Sequence, residues 1–160
     1  MDSLLAMKEP LEPTARGISL RMSAARDQAA AGLRAGQPGV ALAEQLSSEV
    51  EAIVAELLAF HLARARKRTS SEIAVLATGG FGRRELAPYS DLDLLFLCAK
   101  SPDGAVEHLA RAILVPLWDA KVDAGHAVRS VSDALALPAT DLAAATALLD
   151  ARFLTGDRGL

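Results

Sequence analysis

Two carboxylates one residue apart, Asp91 and Asp93, open a short apolar run that continues through Leu94, Leu95, Phe96 and Leu97. On an extended chain, side chains two positions apart point to the same face, so both acids converge on one spot. Adjacent anionic oxygens repel unless a cation lies between them, and Mg²⁺ accepts one or two carboxylates while filling its octahedron with water and substrate phosphates. Upstream, the β-forming run Ile73 to Ala77 stops just before Gly79-Gly80. Glycines there let backbone approach a ligand closely, and a helical turn over Phe81 to Leu86 would aim free N–H groups at phosphate. Strand, glycine turn, linker and acidic strand together describe a site for a metal-bound nucleoside triphosphate. With 11 aspartates in 160 residues, about 0.75 Asp-x-Asp pairs arise by chance, so the pair gains its meaning only from that context. The plainer alternative makes Gly79 to Gly82 a flexible loop and the acids a solvated strand entrance. It supplies no reason for a glycine pair to close one strand just before acids open the next.

The elements that must hold this unit follow from pattern. A chain with 51% hydrophobic and 23% charged residues is globular, and its 33 alanines against 4% aromatics predict much helix and modest burial per residue. A net charge of −3 argues against gripping a nucleic-acid backbone as the main task. The longest apolar stretch, Ala112 to Trp118, is interrupted by Pro116 and too short to cross a bilayer, so no membrane partner and a cytoplasmic location are expected. Cys98, the single cysteine, permits neither an internal disulfide nor a cysteine-rich metal cluster, and reads as an inert core residue. The reading divides the chain into an irregular arm over 1–16, amino-terminal helices over 17–68 and a catalytic core over 69–160. The first helix spans 17–35 and ends at Gly36-Gln37-Pro38-Gly39. The second spans 40–68 with an apolar stripe of Leu42, Leu46, Val50, Ile53, Val54, Leu57, Leu58 and Leu62. Arg64, Arg66, Lys67 and Arg68 at its end suit the helix dipole better than a ligand, and His61 reads as a boundary residue rather than a metal ligand because the sequence has no Cys or second His at ligand spacing. Strands are expected near 72–78, 91–98 and 125–131. A helix over 105–121 should kink or break before Pro116, Ser132 should cap a short helix closed by Pro138, and a last helix should run from Thr140-Asp141 through Phe153 to Gly156. The fold class is α/β, a small sheet with surrounding helices.

The central stretch, Gly79-Gly80-Phe81-Gly82-Arg83, Glu85-Leu86 and Pro88-Tyr89-Ser90-Asp91-Leu92-Asp93-Leu94-Leu95, resembles the signature of the DNA polymerase β-like nucleotidyltransferases. It is most similar to that of the bifunctional PII uridylyltransferase/uridylyl-removing enzymes. Leu117-Trp118-Asp119, Gly125-His126, Val128-Arg129, Thr146 to Leu149 and Ala151-Arg152 extend the resemblance from about Ile73 to Gly156.

This resemblance implies a nucleotidyltransferase fold with a mixed sheet, Mg²⁺ as cofactor, UTP as substrate and a tyrosine hydroxyl of the PII signal protein as acceptor, with pyrophosphate released. Asp91 and Asp93 would be the catalytic metal ligands, Gly79 and Gly80 backbone donors to the triphosphate, and Arg83 a charge-assisted phosphate contact. Arg84 could take the place of Arg83, and either could instead form a surface salt bridge. Tyr89 could stack on a base or simply pack in its loop. Many members of the wider superfamily carry Gly-Ser in the turn, whereas here Gly80 is followed by Phe81, so no serine hydroxyl contact is expected. Full-length members also carry an HD hydrolase and two ACT domains, so the chain reads as an amino-terminal piece. His61, His108 and His126 are followed by Leu62, Leu109 and Ala127, not aspartate, so this chain should not remove uridylyl groups. Rival readings are an adenylyltransferase of the same superfamily and a non-catalytic module that binds a partner through the 40–68 helix. The resemblance also implies a further acid at the start of the third strand; Asp123 is the one acid there but precedes the strand, so the expectation is a two-aspartate site assisted by a neighbour from this strand, with Asp123 as third ligand the lesser alternative. If a right-handed crossover makes the second and third strands parallel, that start lies beside Asp91 and Asp93, with Gly125 and Arg129 on one face and His126 and Val128 on the other.

Overall fold

The computed structural model describes residues 13–64 and 73–160. Most of the expected arm and the basic residues Arg66, Lys67 and Arg68 lie outside them. Helix α1 (Ala15–Arg34) starts two residues earlier than expected because Thr14 caps it, its hydroxyl accepting from the Gly17 amide at 3.1 Å. Helix α2 (Gly39–Arg64) pairs with α1 and buries Leu42, Leu46, Val50, Ile53, Val54, Leu57 and Leu58 as one stripe. Arg21 of α1 ties the pair by bonding Glu49 and Glu56 of α2, each at 2.6 Å.

Four strands follow: β1 (Ile73–Ala77), β2 (Leu92–Cys98), β3 (Ala124–Ser130) and β4 (Arg152–Gly156). Their order is β3-β2-β1-β4, with β1 antiparallel to both β2 and β4 and β2 parallel to β3. This is the expected α/β class, a small mixed sheet preceded by amino-terminal helices. Parallel pairing of β2 and β3 requires a crossover, which α4 (Gly104–Asp119) supplies. Asp103 starts α4 by accepting from the amides of Ala105 and Val106, both at 3.0 Å. Pro116 does not break this helix, which continues through it to Asp119; its missing N–H removes one bond, the one that would reach back to the Ala112 carbonyl.

Two expectations need correction. The cap of α5 (Val131–Ala136) is Ser130 rather than Ser132, because Ser130 and Asp133 form a reciprocal capping box. The last helix, α6 (Leu142–Leu149), ends before Asp150, and Phe153 belongs to β4. Edge pairing with β1 overrides the helical pattern there, and Leu154 joins the core. The fourth strand bulges between Val75 and Leu76 of its partner and leaves through Gly156, whose φ of 101° suits glycine.

The core lies between one sheet face and helices α2 and α4. Ile73, Val75 and Ala77 pair with Cys98, Phe96 and Leu94 and share that face, and Phe96 is wholly buried. Burying each large apolar side chain there contributes about 1.5–3 kcal/mol. The opposite face carries Asp93, Leu95 and Leu97, and the α5–α6 segment lies against part of it.

Candidate active site

The geometry begins with alternation on β2. Leu92 and Leu94 turn into the core, which directs Asp93 to the other face. The Asp93 carbonyl accepts from the Thr78 amide at 3.0 Å, so the end of β1 and the acidic strand are joined where the glycine turn begins. Helix α3 (Gly79–Gly82) is a single turn, and Gly79 adopts φ 57°, a left-handed conformation natural to glycine. A Cβ at Gly79 would stand 3.2 Å from Asp93 Oδ2, and one at Gly125 would stand 3.0 Å from Asp93 Oδ1. The carboxylate is therefore cradled between two glycines on two different elements. Gly125 is the direct register partner of Asp93 on β3, so the cradle depends on the parallel pairing.

Asp93 keeps a solvent-exposed edge, yet burial raises its pKa above the ordinary aspartate range, and the charge of Asp91 raises it further. Both causes penalise an unpaired negative charge, and a cation beside the pair would relieve both. Among the described residues no group of three His, Cys, Asp or Glu side chains is placed to hold a metal ion. Asp91 and Asp93 are two residues that could hold a cation here, and their chemistry fits Mg²⁺, which takes one or two carboxylates with water and phosphate completing its shell. Asp123 is not part of a three-carboxylate cluster; its carbonyl accepts from the Leu92 amide at 2.9 Å where β2 and β3 begin together.

Beside Asp93 opens a cleft of about 190 Å³, walled by Thr78, Gly125 and Arg129 on the sheet and by Ala144, Ala147 and Leu148 of α6. Arg129 shares the face of Asp93, whereas His126 pairs with Leu94 and turns toward α4, its ring 5.9 Å from that of Trp118. Helix geometry leaves the first amides of α3 without intrahelical acceptors. A short helical turn, a carboxylate pair and a cleft thus meet at one end of the sheet.

Sequence comparison bears on what such a site is for. No family model matches the chain. It is 48% identical over 88 residues to the bifunctional uridylyltransferase/uridylyl-removing enzyme of Nitrobacter winogradskyi, covering 55% of this chain and 10% of the relative. The enzyme of the same name from Phenylobacterium zucineum is 39% identical over 132 residues, 80% of this chain and 14% of the relative. That of Bradyrhizobium diazoefficiens is 39% identical over 147 residues, 89% of this chain and 16% of the relative. By sequence the chain is similar to one part of the bifunctional uridylyltransferase/uridylyl-removing enzymes. It spans about 10–16% of the length of these relatives.

The expected site residues fall into two groups. Asp91, Asp93, Gly79 and Gly80 come together at the end of the sheet. Arg83 is engaged elsewhere, bonding Glu85 at 2.7 Å and Asp150 at 2.5 Å, and its pKa is raised by these partners. Arg84, at φ 60°, reaches Glu51 at 3.3 Å. A phosphate contact by either arginine requires exchange of these partners. Tyr89 is 82% exposed, with the Arg26 guanidinium 4.8 Å from its ring centre and Arg26 Nε donating to the Pro88 carbonyl at 2.5 Å. Sequence reasoning placed Arg152 on a helix and gave it no role, although it contacts the glycine turn directly. Local pattern gives no signal for it, since Arg152-Phe153-Leu154-Thr155 does not alternate, and the pairing of β4 with β1 decides the element.

Proposed function

We propose that this chain carries the nucleotidyltransferase unit of a uridylyltransferase, transferring UMP from UTP to a tyrosine hydroxyl of the PII signal protein with release of pyrophosphate. The unit would occupy residues 69–160, behind the amino-terminal helices. The observation that carries the reading is the Asp93 carboxylate held between Gly79 and Gly125, with Asp91 raising its pKa. The names of the relatives support the nucleotide class and the transfer.

Asp91 and Asp93 would hold Mg²⁺, and the ion when bound supplies neutralising charge at the triphosphate. The α3 amides orient the phosphate chain, because a helix N-terminus presents N–H groups and positive partial charge. The cleft under α6 admits the nucleotide beside Asp93, and Arg129 adds a positive charge on that face. The acceptor hydroxyl must approach in line with the leaving pyrophosphate, from the open side of the acidic pair.

The test is transfer of labelled UMP to purified PII by the 160-residue chain with Mg²⁺, with ATP in a parallel arm. Mg²⁺-dependent labelling from UTP is expected. Labelling from ATP alone would identify an adenylyltransferase, and no labelling from either nucleotide, with or without Mg²⁺, would leave a partner-binding module instead.

A further inference from the structure

Strand β4 begins with an arginine that reaches beneath the glycine turn. Arg152 Nε donates to the Gly82 carbonyl at 3.0 Å, Nη2 to the Phe81 carbonyl at 3.2 Å, and Nη1 to the Glu51 carboxylate at 2.7 Å. Its guanidinium also lies 5.7 Å from the centre of the Phe81 ring. A planar fork of five donors can span two adjacent carbonyls and a carboxylate together, which a lysine cannot. Glu51 projects from α2, whose stripe from Leu42 to Leu58 is buried, and both partners are about three-quarters shielded, with 24% and 25% side-chain exposure. The clamp therefore joins the turn to a rigid element.

The two clamped carbonyls belong to the carboxyl-terminal end of α3. Its other end, Gly79, abuts the Asp93 carboxylate. Tilting so short a turn at one end redirects it at the other. The turn is also closed internally, by Gly82 N–H to Thr78, Arg83 N–H to Gly79 and Glu85 N–H to Gly80, at 3.0, 3.1 and 2.8 Å. Those bonds fix its shape, but its orientation against the sheet needs an external hold.

We propose that Arg152 is a positioning residue, which fixes the direction of the Gly79 and Gly80 amides relative to Asp91 and Asp93 by holding the Phe81 and Gly82 carbonyls while Glu51 holds it. The consequence for catalysis rests on the transferase reading above; the mechanical part rests on geometry alone. Arg84 also reaches the same Glu51 oxygen, so removal of Arg152 does not strand a buried charge on α2.

The test compares Arg152→Met, Arg152→Lys and Glu51→Gln in the 160-residue chain by residue-resolved amide exchange, thermal melting and binding of Mg²⁺–UTP. Arg152→Met should speed exchange at Gly82, Arg83 and Glu85 while α2 and β2 keep their protection, and should raise the Kd for Mg²⁺–UTP about tenfold, the scale of supporting contacts around a metal site. Arg152→Lys should fall between Met and the parent, and Glu51→Gln should move both readings the same way by less. Unchanged exchange at the turn, local loosening with unchanged affinity, or equal loosening across the whole domain would each overturn the proposal. If the parent chain binds no Mg²⁺–UTP, the transferase reading fails, and the exchange pattern alone decides whether Arg152 fixes the turn.

Discussion

The two faces of β2 make opposite use of one strand. Leu92, Leu94, Phe96 and Cys98 point into the core with at most 2% exposure, while Asp93, one position out of phase, meets two glycines and another acid. The first face gains from every contact, since burial of apolar area stabilises without regard to direction. The second holds a carboxylate whose surroundings disfavour its charge. One face supplies the rigidity that lets the other hold an unfavourable group at a fixed place.

Substitutions on the two faces should therefore fail in different ways. Phe96→Ala is expected to have the largest effect on folding, a loss of about 3–5 kcal/mol in chemical denaturation, with activity falling only as folded protein is lost. Asp93→Asn should do the reverse. Transfer should drop by about 10²-fold or more, while the metal-free melting temperature stays level or rises because a repulsion has been removed. A large fall in melting temperature for Asp93→Asn would show that the carboxylate supports the fold and would erase the contrast between the faces.

Two smaller effects sharpen the contrast. Gly125→Ala would press a methyl group against Asp93 Oδ1 from the neighbouring strand, costing about 1 kcal/mol of stability and lowering Mg²⁺–UTP affinity by displacing the carboxylate. Unaltered affinity would mean that the carboxylate is free to swing away. The smallest effect concerns pH. Because the folded-state pKa of Asp93 is raised, the folded chain retains a proton that the unfolded chain releases, so this group's contribution to stability falls as pH rises from about 4 through the folded-state value. Metal-free denaturation curves of the parent should show that decline, and those of Asp93→Asn should not.

How much of this was legible in the sequence depends on the range of the signal. Strands β1, β2 and β3 were marked by local apolar runs and by glycine and proline punctuation, and the crossover rule placed β3 beside the acids. The cradle at Gly125 was not foreseen, because it depends on which residue of β3 lies opposite Asp93, a matter of register rather than composition. Strand β4 was read as helix since Ala145, Leu148, Leu149 and Phe153 follow a helical period, and only pairing with β1 tells otherwise. The ion pairs of Arg83 with Asp150 and of Arg84 with Glu51 bridge 67 and 33 residues, distances over which a linear pattern carries no information.

The clamp on the glycine turn also has a history in time. Arg152 meets Gly82 and Glu51 across 70 and 101 residues of chain. A ribosome delivers the glycines, both aspartates and α2 well before it delivers the arginine that joins them. Until Arg152 has emerged, a nascent chain can pair β1 with β2 and assemble its acidic corner while the turn beside that corner stays unfastened. On the proposed transferase function, nucleotide affinity during synthesis is thus expected to arrive as a late step, coupled to docking of edge strand β4 rather than to the appearance of the glycines and aspartates.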